Sequence, residues 1–114
     1  MWIMERFKTE VWSDTMKQKE TIIRNSIVSE LRRSDWFVIY NMQMGFGQHK
    51  GLADLTCMRN GEVVFVEIKT ETGKQSAEQV QFQKDCESHG VKYLLARSVN
   101  DVQEMLNYQS LFEA

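Results

Sequence analysis

Asn60-Gly61 is the feature that most constrains this chain. It separates two runs, "LADLTCM" (52–58) and "EVVFVEIKT" (62–70), that are rich in apolar and β-branched residues. Asn-Gly between such runs is the strongest short-range signal for a two-residue hairpin, because a type I′ turn needs positive φ at both central positions. If the turn is of that type, Arg59 faces Glu62, and facing residues always sum to 121. One face of the ribbon then carries Ala53, Leu55, Cys57, Val64, Val66 and Ile68, all apolar. The other carries Asp54 directly across from Glu67, with Lys69, Thr56 and Phe65 beside them. Two carboxylates facing each other, with Cβ atoms roughly 5 Å apart, destabilise a sheet. Folding alone has no use for them there.

A chemical use is easier to name. A divalent cation between the carboxylates removes the repulsion, and Mg²⁺ prefers oxygen ligands of this kind. Strand side chains alternate, so Lys69 shares the face of Glu67 and reaches toward whatever the ion holds. The backbone carbonyl of Ile68, between them, is a further ligand candidate. A cation, paired carboxylates and a lysine suit phosphodiester hydrolysis: the cation polarises a phosphoryl oxygen, and the lysine stabilises charge developing in the transition state.

The rest of the chain supplies a frame for this ribbon. Residues 15–33 read as an amphipathic helix with Ser13, Asp14 or Thr15 as N-cap and Met16, Ile23, Ile27 and Leu31 in its apolar stripe. Glu20 lies in that stripe, where a carboxylate is out of place. "WFVIYNM" (36–42) reads as a buried strand, followed by a glycine-punctuated loop. "SAEQVQFQKDCESH" reads as a helix that Gly90 terminates, "VKYLLA" as a fourth strand, and Ser98 with Asp101 as the capping box of a last helix reaching about Asn107. The order is α-β-β-β-α-β-α. The third strand, its helix and the fourth strand form a crossover unit, which makes those two strands parallel in a mixed four-stranded sheet.

Composition narrows the class. A chain of 114 residues suits one domain, and no apolar run approaches a membrane span. The N-terminus mixes charges among its aromatics and lacks the apolar core of a signal peptide, which points to an intracellular protein. Cys57 and Cys86 lack metal-ligand spacing and read as reduced packing residues. A net charge of −2 argues against a bulk electrostatic grip on nucleic acid, though not against a local basic groove.

An Asp, then Glu-x-Lys on the next strand, after an N-terminal helix bearing a Glu, resembles the PD-(D/E)XK nuclease superfamily. The finer similarity is to its VRR-NUC (virus-type replication-repair nuclease) branch. Three stretches carry it: "KETIIRNSIVSELR", "KGLADLTCMRNGEVVFVEIKTETGKQSAEQVQF" and "GVKYLLARSVNDV". The resemblance implies a restriction-endonuclease-like core and a Mg²⁺- or Mn²⁺-dependent nuclease acting on DNA, often on branched structures such as Holliday junctions. It also implies a homodimer, and a stand-alone, phage-encoded relative acting in a bacterial host. No obligate protein partner is evident. Residues 1–114 then form one VRR-NUC domain, with 1–14 an N-terminal extension suited to a dimer interface. By position, Asp54 and Glu67 become metal ligands and Lys69 the catalytic lysine. Glu20 becomes the acid of the first helix, reaching the ion through water, and Gln79 the glutamine of the following helix. Ala53 stands where the superfamily name has proline, a residue that does no chemistry.

Each residue also has a plainer reading. Asp54 and Glu67 could line a solvated hairpin face, and Glu20 could simply pair with Arg24 one turn on. Ser76 with Gln79 fits a capping box, so Gln79 has a local use independent of any site. Lys74, Lys50 and His49 are candidate DNA contacts in loops where solvated polar residues are common. Trp36, Phe37 and Tyr40 are assigned to the core. Trp2, Phe7 and Trp12 suit either a dimer interface or a folded-back N-terminal segment.

Overall fold

In the computed structural model, the residues described are 2–41 and 48–106, with side chains from residue 18 onward. The first helix, α1, spans Trp2–Arg33 and so begins well before the expected caps at 13–15. Ser13 and Asp14 also sit acceptably inside a helix, at a cost of a few tenths of a kcal/mol each. No Gly or Pro between residues 2 and 33 interrupts it. The aromatic side chains of Trp2, Phe7 and Trp12, and the interface expected of residues 1–14, lie outside the described side chains.

The end of α1 is set by Asp35, whose φ of 68° is left-handed. Asp35 N–H donates to Arg32 O at 3.1 Å and Trp36 N–H to Leu31 O at 3.0 Å. This is the Schellman arrangement with aspartate in the position usually held by glycine. It swings Trp36 back onto Leu31 in the core.

Strand β1 is Phe37–Tyr40, β2 is Leu55–Arg59, β3 is Glu62–Ile68 and β4 is Lys92–Ala96. They form one sheet in the order β1-β2-β3-β4, with the first two pairings antiparallel and β3–β4 parallel. Asn60 and Gly61 have φ of 51° and 80°, and the ladder runs from Arg59↔Glu62 to Leu55↔Val66, so the hairpin has the expected turn and register. The parallel pair is likewise as expected, joined by helix α2, Ala77–Ser88. This is a mixed four-stranded α/β fold with flanking helices.

Each face of the sheet is covered by a different helix. Ile27, Val28 and Leu31 of α1 pack with Val38, Leu55, Cys57, Val64, Val66 and Ile68. On the opposite face Phe82 of α2 meets Phe65 edge-on, ring centres 5.1 Å apart, with Tyr93 alongside. Strand β3 is therefore covered on both faces, and Cys57 and Cys86 are buried free thiols.

Two aromatic assignments need correction. Phe37 is 63% exposed and Tyr40 43%, because β1 is an edge strand that buries only Val38; Trp36 alone of the three fills the core. The final element is a 3₁₀ turn, Val99–Val102, continuing as a helical turn to residue 106; the expected end at Asn107 lies outside the described residues. The Ser98 side chain makes no cap. Asp101 instead accepts from Arg97 N–H at 2.7 Å, one residue before Ser98. Among the described residues, no helix is long and apolar enough to cross a membrane.

Candidate active site

The β2–β3 ladder stops at Leu55↔Val66, and the next position on each strand is Asp54 and Glu67. Asp54 is held from β1. Asn41 N–H donates to Asp54 O at 2.8 Å, and the Asn41 amide donates to Ala53 O at 3.0 Å and Thr56 Oγ1 at 2.8 Å. With its backbone so fixed, Asp54 turns its carboxylate toward β3, where Oδ2 accepts Ile68 N–H at 2.8 Å. A side-chain oxygen thus takes the place of the next ladder carbonyl. A strand residue's N–H and C=O point to the same neighbour, so the Ile68 carbonyl is directed toward this end of the hairpin.

Glu67 is 2% exposed, and its Oε2 has no hydrogen-bond partner. Burial pushes its carboxyl up to about 9; the hydrogen bond and charge of Asp54 add to this, Lys69 opposes it and Glu20 adds a little. Four of the residues singled out in the sequence are therefore in one electrostatic neighbourhood, although contributed by α1, the start of β2 and the end of β3. A buried carboxyl without a counter-charge takes a proton, whereas a cation beside it would keep it ionised.

Gly51 determines how the strand carrying Asp54 enters. Its φ is +78°, and a Cβ there would lie 2.1 Å from Glu78 O at the start of α2. Only glycine lets this loop press against the first turn of that helix.

No family model matches the sequence, and no curated protein matches it. Among solved structures, a "VRR_NUC domain" superposes with a TM-score of 0.65 at 19% identity, the match covering 78% of this chain and 95% of that one. This chain has the VRR-NUC fold.

Within that fold the remaining candidates are distributed unevenly. Glu20 is half-buried and 3.7 Å from Arg24, the pairing that helix spacing allows. It reaches Glu67 only through its field: among the described residues, no three His, Cys, Asp or Glu side chains stand together as a metal cluster. Gln79 forms the capping box, its Oε1 accepting Ser76 N–H at 2.8 Å and its N–H donating to Ser76 Oγ at 3.1 Å. The cap occupies the oxygen and leaves the helix N-terminus beside the Gly51 loop. His49 is exposed, its Nδ1 2.9 Å from Lys50 O and its ring 5.6 Å from Phe82. Lys50 and Lys74 are exposed.

Asn41 and Gly51 are structural members of the site that sequence reasoning missed. Only Gly51 had a usable signal, a glycine immediately before a strand. The donors present suit a hard divalent ion: a buried oxygen lacking a partner, a carboxylate beside it and a backbone carbonyl aimed at the same end. Mg²⁺ commonly takes only one or two carboxylates and completes its shell with water, so a three-carboxylate cluster is not required.

Proposed function

We propose that this protein is a metal-dependent, structure-selective DNA endonuclease that hydrolyses phosphodiester bonds in branched DNA such as Holliday junctions. The observation that carries this reading is the buried, unpartnered Glu67 oxygen beside Asp54 and Lys69, on a VRR-NUC fold. Asp54, Glu67 and the Ile68 carbonyl would hold Mg²⁺ or Mn²⁺, with Glu20 acting at longer range. Bound there, the ion supplies Lewis-acid polarisation of the phosphodiester.

The chain's own residues have separable parts. Asp54 fixes the end of β3 through Ile68 N–H and keeps Glu67 at its side. Lys69, on the same face as Glu67, orients the attacking water or offsets the negative charge that grows on the scissile phosphate. Gln79 holds the start of α2 against the Gly51 loop. Lys50, His49 and Lys74 would contact the DNA backbone, a local basic set on a chain whose net charge is −2. The same reading makes the protein an intracellular, phage-type homodimer. Light scattering at several concentrations tests the dimer, and a mass that stays monomeric refutes it.

The deciding experiment is cleavage of labelled four-way junctions, flaps and linear duplex with Mg²⁺, Mn²⁺ or EDTA. Junction cutting that requires metal is expected. Glu67→Gln and Lys69→Ala should each lower it by about 10²–10³-fold, the usual cost of removing one group that stabilises a transition state. Cutting that survives these changes contradicts the mechanism, and equal rates on linear duplex contradict the branch preference.

A further inference from the structure

We propose that Arg97, 28 residues beyond Lys69, is the positioning residue that holds Lys69 in its working place. The proposal rests on the nuclease reading for its catalytic consequence, but its geometry stands independently.

Lys69 is the last residue tied into the sheet, its N–H donating to Ala96 O at 3.0 Å. The chain then reverses through Thr70, Glu71, Thr72 and Gly73, a turn closed by Gly73 N–H donating to Thr70 O at 3.2 Å. This turn runs beside the lysine. A methyl placed on Gly73 would stand 3.4 Å from Lys69 Cδ and 3.3 Å from Thr70 Oγ1. The turn is thus a wall along the aliphatic stem of Lys69, and its position limits where the ammonium can point.

Arg97 fixes that wall. Its Nη1 donates to Thr70 O, to Gly73 O at 2.7 Å and, more weakly, to Glu71 O at 3.3 Å. Bonds from a charged donor to several carbonyls are roughly twice as strong as neutral ones. Arg97 is itself anchored, since its backbone N–H donates to Asp101 Oδ2 at 2.7 Å directly after β4. The links run from Asp101 to Arg97, to three turn carbonyls, to the Lys69 stem.

Arg97→Gln tests the proposal, with Gly73→Ala as a second variant that disturbs the wall from its other side and leaves Arg97 intact. Expected for Arg97→Gln is a loss in kcat of about tenfold to a hundredfold, the scale of a 1 Å misplacement of a reacting group, with KM near wild type. Gly73→Ala should show the same pattern more weakly. The loss should disappear when Arg97→Gln is made on a Lys69→Ala background. An equal loss on both backgrounds would show that Arg97 acts through the fold at large and would overturn the proposal. NMR supplies a readout independent of catalysis: in Arg97→Gln the Gly73 amide should exchange faster and the Lys69 ¹³Cε signal should move toward that of a free lysine, with the sheet amides unchanged. An unmoved Lys69 signal refutes the positioning role even if the wild type cuts DNA. Wild-type protein that cuts nothing, with Lys69 still displaced by Arg97→Gln, refutes the nuclease reading and leaves the positioning role supported.

Discussion

The two ends of the β2–β3 hairpin solve the same problem in opposite ways. At the turn end Arg59 is buried, but its guanidinium donates to Ser34 O at 3.0 Å and lies over the Trp36 ring at 4.5 Å. Five positions further along, Glu67 is more deeply buried and has an oxygen with no partner, next to a second carboxylate. A charge removed from water must be compensated. Arg59 is compensated by the fold, whereas Glu67 is left for something outside it. The contrast separates stability from function along one ribbon: the turn end can be read as structure, and the open end makes sense only as a site.

The largest effect that would sharpen this contrast concerns the loop feeding the open end. Gly51→Ala combines a left-handed φ with a 2.1 Å clash against backbone at Glu78. It should destabilise the protein by about 2–4 kcal/mol, and thermal melting would show it. A melting temperature within a degree of wild type would mean that the loop does not press on α2 as described.

Arg59→Ala comes next. Losing a charged hydrogen bond and a cation–π contact should cost about 2 kcal/mol, or roughly 8 °C in melting temperature at about 4 °C per kcal/mol. DNA cleavage per folded molecule should be unaltered. Equal damage to catalysis would break the division between the two ends.

Smaller per unit of pH, though it accumulates across the window, is the effect of titrating Glu67. With its carboxyl raised from 4.5 to about 9 in the folded state, Glu67 binds more protons folded than unfolded across that window. The folded state is therefore favoured at the acid side, and metal-free stability falls as pH rises from about 5 to 9, by at most about 1.4 kcal/mol per unit. In EDTA, Glu67→Gln should flatten this slope and melt above wild type at pH 8. A slope unchanged by that substitution would show that another group carries it.

Much of this was legible in the sequence wherever local rules decide. Asn60-Gly61 fixed φ at two positions and with them the register, and Gly90 closed α2 because glycine takes the left-handed conformation without strain. Asp35 closes α1 in the same way, yet an aspartate there is as easily read as an ordinary loop residue. Ser13 and Asp14 looked like caps because cap-forming residues are also tolerated within helices. β1 was read as buried because an apolar run does not reveal that its strand lies at an edge. For the site, sequence placed Asp54 and Glu67 at adjoining positions through register, but Asn41 and Arg97 act across 12 or more residues, through contacts that only the assembled sheet creates.

Metal binding at the open end is the most direct test of the account. Titration of metal-free protein with Mn²⁺ in a calorimeter should show binding by wild type and by Arg59→Ala, and its loss in Glu67→Gln. Binding that persists undiminished in Glu67→Gln would contradict the assignment of the unpartnered carboxyl as a ligand.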